Sequence, residues 1–151
     1  MENLSSQKSE LRDALLSKRK AIPEERRVEA TRNAFEAFKD RGAVLSFSPM
    51  GSEIDLTPLN EYLKSQGRLH LVPYKIEALK DVPLEQIDLI LVPALGFDKR
   101  KYRIGYGKGY YDRFLENVEI PTIGVGFNEQ LYESFLPVEP WDVPVNEVLL
   151  F

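Results

Sequence analysis

Residues 87–95 read IDLILVPAL, and residues 96–115 continue as GFDKRKYRIGYGKGYYDRFL. The first run is apolar on both alternating faces, the pattern of a strand buried on both sides of a parallel sheet. The second turns abruptly basic and glycine-rich before an apolar period returns near Tyr110, where the spacing predicts a helix to about Asn117. Working outward, TIGVGF (122–127), AVLSFS (43–48), RLHLVPY (68–74) and NEVLLF (146–151) read as further strands. Residues 4–21 form a predicted helix with Leu4, Leu11 and Leu15 on one apolar face. Pro23 opens a second helix that runs to Gly42, with acids early, bases late and Val28, Ala34, Phe35 and Phe38 as its buried stripe. Thr57-Pro58 caps a third, which stops at Gly67. IEALKDVPLEQ (76–86) is a connector with at most a helical turn. Strands alternating with helices specify an α/β fold: one layered domain over residues 1–151, a mainly parallel sheet flanked by helices.

Composition narrows the classes. A chain of 151 residues suits one domain and can bury roughly 70% of its unfolded surface. With 43% hydrophobic and 29% charged residues, a packed globule is expected. No apolar run approaches the ~20 residues that span a bilayer, and MENLSSQKSELRD has no apolar signal core, so neither membrane insertion nor export is expected. Cysteine is absent, which removes disulfides and thiolate metal sites and fits a cytoplasmic address. A net charge of −4 argues against a general polyanion binder. Yet residues 98–113 carry Lys99, Arg100, Lys101, Arg103, Lys108 and Arg113 against only Asp98 and Asp112. Charge alone does not separate an anion site from a solvated basic loop.

Position adds to charge. RIGYGKGYYDR (103–113) follows the central strand, where open α/β sheets bind ligands outside the strands' carboxyl ends. Gly105, Gly107 and Gly109 let the backbone approach a ligand, and successive N–H groups there can nest an anion at a helix start. Arg103 and Lys108 supply full charges, and Asp112 is placed to hold Mg²⁺, which takes one or two carboxylates plus phosphate oxygens. The spacing is neither the P-loop nor the dinucleotide pattern, so a tight turn with exposed bases stays open on these residues alone.

The run VPALGFDKRKYRIGYGKGYYDRFL (92–115) resembles the signature of the 5-formyltetrahydrofolate cyclo-ligase (5,10-methenyltetrahydrofolate synthetase) family, close to P-G-L-A-F-D followed by R-L-G-x-G-x-G-Y-Y-D. KSELR (8–12) is similar to its N-terminal K-x-x-L-R, SPMGSEID (48–55) to its loop ending in Glu, and PWDVPVNEVL (140–149) to its C-terminal stretch. The resemblance implies a fold like that of sugar-phosphate isomerases and CoA transferases. It implies a ligase of one-carbon metabolism that uses ATP and Mg²⁺, with a folate substrate. Lys8, Arg12, Arg103, Ile104, Gly105, Tyr106, Gly107, Lys108, Gly109, Tyr110 and Tyr111 would hold ATP. Phe47, Glu53, Tyr106, Gly107, Lys108, Gly109 and Tyr110 would face the folate. Asp112 and Asp142 would bind Mg²⁺, and Arg103 and Lys108 would serve the transferring phosphoryl group. The formyl oxygen would attack the γ-phosphate, N10 would close the ring, and phosphate would leave.

Ordinary explanations exist for several of these residues. Lys8 and Arg12, spaced i, i+4, also suit a charged helix face. Glu53 on a turn is normally just solvated, Tyr110 and Tyr111 divide between packing and stacking, and Trp141 reads as a hydrophobic lid. His70, the only histidine, lacks any identifiable catalytic partner. The chain departs from the family pattern in a short segment between LVPY and IDLILVP, in Lys75 for Arg, Lys101 for Gly and Asn146 for Asp. A relative with another substrate, a folate- or nucleotide-binding protein of little activity, and a nucleic-acid-binding module therefore stand as alternatives, the last against the acidic net charge. A monomer is expected.

Overall fold

In the computed structural model, residues 3–107 and 110–151 are described. Helix α1 (Leu4–Lys20) starts at Asn3, whose side chain accepts the Ser6 N–H at 2.8 Å, and ends in Lys18, Arg19 and Lys20, which suit the negative end of the helix dipole. Helix α2 (Glu24–Phe38) follows Pro23 and opens with Glu24 and Glu25. Its buried stripe is Ala30, Ala34 and Phe38, at i, i+4 spacing. Val28, expected in that stripe, lies half a turn away from Ala30 and is 48% exposed. Strand β1 (Val44–Ser46) leads to α3 (Thr57–Ser65), whose first N–H is taken by Asp55 from outside the helix rather than by a Thr57 cap. Strand β2 (Leu69–Leu71) is followed by 3₁₀ turns at Ile76–Asp81 and Leu84–Gln86. Then come β3 (Leu89–Val92), β4 (Gly96–Phe97), β5 (Arg103–Ile104), α4 (Tyr110–Leu115), β6 (Thr122–Gly126) and β7 (Glu147–Leu150).

Five strands form a parallel sheet in the order β2-β1-β3-β6-β7, with β3 at its centre. Alternation along the strands sends side chains to two cores. Val44, Leu89, Leu91, Ile123 and Val125 pack with Ala30, Ala34 and Phe38 of α2 and Leu59 and Leu63 of α3. Leu45, Ile90 and Val92 face Leu115, Tyr111 and Phe114 of α4. The chain leaves β1 toward β2 on one side and returns to β3 on the other, so the direction of winding reverses between β1 and β3. Crevices at the carboxyl ends of such strands are where open α/β sheets bind ligands.

The β4–β5 hairpin lies where the sequence shows only a basic, glycine-rich stretch. It pairs Gly96 with Ile104 and Phe97 with Arg103, and packs Leu95 and Ile104 against Leu15 of α1. Phe97 lies across β6 so closely that a Cβ on Gly124 would sit 2.3 Å from its ring; only glycine fits there. Among the described residues, no helix is long and apolar enough to cross a membrane.

Candidate functional site

The hairpin turn is organised by Asp98. Its carboxylate is fully buried and accepts the N–H groups of Arg100 (2.9 Å), Tyr102 (3.1 Å) and Leu136 (2.9 Å), and it pairs with the Arg100 guanidinium at 3.0 Å. Arg100 also stacks on Phe135 and Tyr102. Part of the basic run is therefore committed to structure, which weakens the electrostatic footprint a nucleic acid would need. Lys101 has φ +71°, a left-handed conformation that glycine adopts without strain.

With the turn fixed, β5 delivers Arg103 to the carboxyl end of β3. Its Nε donates to the Pro93 carbonyl at 3.1 Å, and its guanidinium lies 5.1 Å from the centre of the Tyr111 ring. Burial pushes Arg103 below its ordinary pKa, while Asp112, Tyr111, Asp142 and Glu53 pull it back up. Arg103 thus sits within electrostatic reach of every carboxylate expected at the site. From α1, Arg12 Nε donates to the Gly105 carbonyl at 2.8 Å. Gly107 has φ +94°, and a Cβ there would meet the Arg12 guanidinium at 3.1 Å, so glycine permits both the turn and the close approach of the cation.

Arg19, which the sequence analysis did not single out, is 1% exposed and joins the loops. It donates to Ser52 Oγ (2.9 Å), the Ala94 carbonyl (3.2 Å) and the Tyr106 hydroxyl (2.5 Å). Ser52 precedes Glu53, whose carboxylate accepts the Met50 N–H at 2.8 Å. Burial pushes the Glu53 carboxyl above its ordinary value, against the Met50 hydrogen bond and the charges of Arg19 and Arg103. Arg19 therefore links the expected phosphate loop to the expected folate loop. Among the described residues no carboxylate forms an ion pair with Arg12, Arg19 or Arg103. Neutral carbonyls and hydroxyls fix their geometry, and Glu53, Asp112 and Asp142 act on Arg103 only through space.

A cleft of about 390 Å³ is lined by Lys8, Arg12, Gly107, Asp112, Trp141 and Asp142, among others. Lys8 Nζ is 3.2 Å from Asp142 and 3.9 Å from Glu139. Asp142 Oδ2 also accepts the Glu139 N–H, and Asp112 Oδ1 accepts that of Val143 at 3.5 Å. Each carboxylate keeps its second oxygen free of hydrogen bonds among the described residues. Those residues contain no cluster of three or more metal-ligating side chains. Two carboxylates on a cation-rich cleft nonetheless fit Mg²⁺, which takes few protein ligands when phosphates supply the rest.

Other expected residues lie differently. Phe47, expected on the pocket wall, is 4% exposed and belongs to the core with Ile54, Leu56 and Leu59. The Ile104 side chain is likewise buried with Leu15 and Leu95, leaving only its backbone near the loop. Tyr111 packs on the sheet beneath Arg103. Tyr106 is 54% exposed. Lys108 and Gly109 lie outside the described residues, as does the Tyr110 side chain. Helix α4 ends at Leu115 rather than Asn117. His70 sits on β2, at the edge of the sheet. Asn146 accepts the Thr122 N–H at 2.8 Å and joins β6 to the start of β7.

The family model described as the 5-formyltetrahydrofolate cyclo-ligase family matches residues 74–150. A 5-formyltetrahydrofolate cyclo-ligase of Mycolicibacterium smegmatis is 30% identical over 180 residues, covering 94% of this chain and 92% of the relative. That alignment exceeds the 151 residues here, so the relative carries residues this chain lacks. The enzyme of the same name from Mycoplasma pneumoniae is 44% identical over 66 residues, 42% of this chain and 39% of the relative. Against three of the curated relatives, the chain spans 39 to 50% of their length. A solved 5,10-methenyltetrahydrofolate synthetase from Mycoplasma pneumoniae superposes with a TM-score of 0.75 at 25% identity, over 93% of this chain and 96% of that one.

Proposed function

The chain belongs to the 5-formyltetrahydrofolate cyclo-ligase family, and from that premise we propose that it converts 5-formyltetrahydrofolate and ATP to 5,10-methenyltetrahydrofolate, ADP and phosphate. The observation that carries this is the set of guanidiniums anchored on neutral groups, Arg19 and Arg103 at the carboxyl end of β3 and Arg12 on the Gly105 carbonyl after β5. Such preset charge favours an anion and needs little reorganisation when it arrives.

Lys8, Arg12 and the 103–107 backbone hold the triphosphate, and Arg103 faces the transferring phosphoryl group. Lys108 and Gly109 continue that loop by sequence, and Tyr110 and Tyr111 open α4 directly after it. Asp112 and Asp142 would hold Mg²⁺, which would supply positive charge to the phosphate oxygens. Glu53, held by Met50 and close to Arg19, accepts hydrogen bonds from the pterin. Tyr106 lies between the two halves on its bond to Arg19. The formyl oxygen attacks the γ-phosphorus and ADP departs. N10 then adds to the activated formyl carbon and gives up its proton, phosphate leaves with the former formyl oxygen and takes up that proton, and the ring is closed. Phosphoryl transfer asks mainly for positioning and charge neutralisation, which these residues provide without a nucleophilic side chain.

The test is incubation of the protein with 5-formyltetrahydrofolate, ATP and Mg²⁺, following the absorbance of the methenyl product. Its appearance only when both ATP and Mg²⁺ are present is the expected result. ATP binding with no product would replace the ligase by a nucleotide-binding relative.

A further inference from the structure

Trp141 is 67% exposed, yet the turn that carries it is pinned at both ends. Residues 139–142 form a turn closed twice by one residue: the Asp142 N–H donates to the Glu139 carbonyl at 3.0 Å, and Asp142 Oδ2 accepts the Glu139 N–H at 2.8 Å. Pro140 follows Glu139, at the position where its fixed φ suits a tight turn. The same carboxylate oxygen holds Lys8 at 3.2 Å, which ties the turn to α1. Single exposed apolar side chains are ordinary, so exposure by itself argues nothing. Placement argues more: the indole lines the cleft shared by Lys8, Arg12, Asp112 and Asp142. Those cations suit phosphates and those carboxylates suit a metal, but neither suits an uncharged aromatic ring. The indole offers a large planar face beside them, on a rigid mount.

We propose that Trp141 is the stacking platform for the purine ring of the bound nucleotide. This rests on the nucleotide site described above and adds its base subsite. Because the phosphates are held by charge and the base by stacking, the two contributions separate by ligand.

Trp141 is the only tryptophan in the chain, so its fluorescence reports its own surroundings. The experiment titrates the full chain with Mg²⁺·ADP and, separately, with Mg²⁺·tripolyphosphate, reading both fluorescence and calorimetric affinity. ADP is expected to change the fluorescence strongly and tripolyphosphate little. Trp141→Ala is expected to lose roughly 5- to 100-fold in ADP affinity, the scale of one aromatic stacking contact, with tripolyphosphate affinity unchanged. Trp141→Phe is expected to keep most of the ADP affinity. Wild-type ADP affinity in Trp141→Ala overturns the proposal. So does an equal loss for both ligands, which would make Trp141 a support of the turn. If the wild type binds neither ligand, the nucleotide site itself is refuted, and the base subsite with it.

Discussion

Replacing Asp98 tests how the hairpin presents Arg103. Its carboxylate is the common acceptor for the backbone N–H groups of Arg100, Tyr102 and Leu136 and for the Arg100 guanidinium. Asp98→Ala orphans all of them at once. Leu136 N–H is bonded in a buried setting, and an unpaired buried donor costs about 1–3 kcal/mol. The two turn N–H groups are only partly buried and regain some water, while Arg100, a third exposed, is largely resolvated. The total falls at about 3–5 kcal/mol, the range for breaking a buried charge network from one side. For a chain of this size that lowers Tm by roughly 6–20 °C. Asp98→Asn keeps an acceptor for Arg100 and Tyr102 but turns an amide N–H toward Leu136 and Arg100, so its loss lies between wild type and alanine. Urea unfolding followed by circular dichroism measures both. An Asp98→Ala protein within 1 kcal/mol of wild type, at an unchanged m-value, would refute the claim that this carboxylate holds the hairpin together (a threshold of about 1 kcal/mol being the ordinary mutational effect).

Further outcomes follow from other residues. Glu53 has a raised pKa, so between its unfolded and folded values the native state binds the extra proton and stability falls as pH rises. Glu53→Gln is therefore expected to raise Tm at pH 7, to lose that advantage below the ordinary carboxylate range, and to weaken folate binding; melts across pH test the first two and a folate titration the third. Lys101→Gly removes left-handed strain at φ +71° and is expected to raise stability by up to about 1 kcal/mol in urea unfolding, the glycine's chain entropy offsetting the rest. Lys108→Ala is expected to lower turnover by roughly 10²–10³, the scale for losing one preorganised donor to developing charge; a rate near wild type in single-turnover kinetics would remove Lys108 from the mechanism.

What the sequence disclosed depended on how far each signal repeats. Strands β3 and β6 were legible because long apolar runs have one explanation in an α/β chain, and their burial agrees. The hairpin escaped because two-residue strands show no period, and its turn is made by a buried Asp inside a run that reads as basic surface. Val28 is apolar but lies off the i, i+4 row of Ala30, Ala34 and Phe38 that faces the core. Arg19 was hidden in a basic helix end, where a cation normally answers the helix dipole. A signal was present, since Leu11, Leu15 and Arg19 share one face, and a charge in that row means a solvated edge or a buried partner. Phe47, beside the 48–55 loop, and Ile104, inside the 92–115 run, face inward, because adjacent residues on a strand or its end point to opposite sides. The contacts that bring Arg12 to Gly105 and Lys8 to Asp142 span 93 and 134 residues. Local spacing has no access to such pairs.

The most direct test of the proposed chemistry follows the oxygen. 5-Formyltetrahydrofolate labelled with ¹⁸O in its formyl group is turned over with unlabelled ATP and Mg²⁺ in ordinary water, and the released phosphate is weighed by mass spectrometry. Attack of the formyl oxygen on the γ-phosphorus requires one ¹⁸O in each phosphate, formed together with one ADP and one methenyl product. Unlabelled phosphate formed alongside the methenyl product would contradict it, because the formyl oxygen would then have left by a route that never passes through phosphorus.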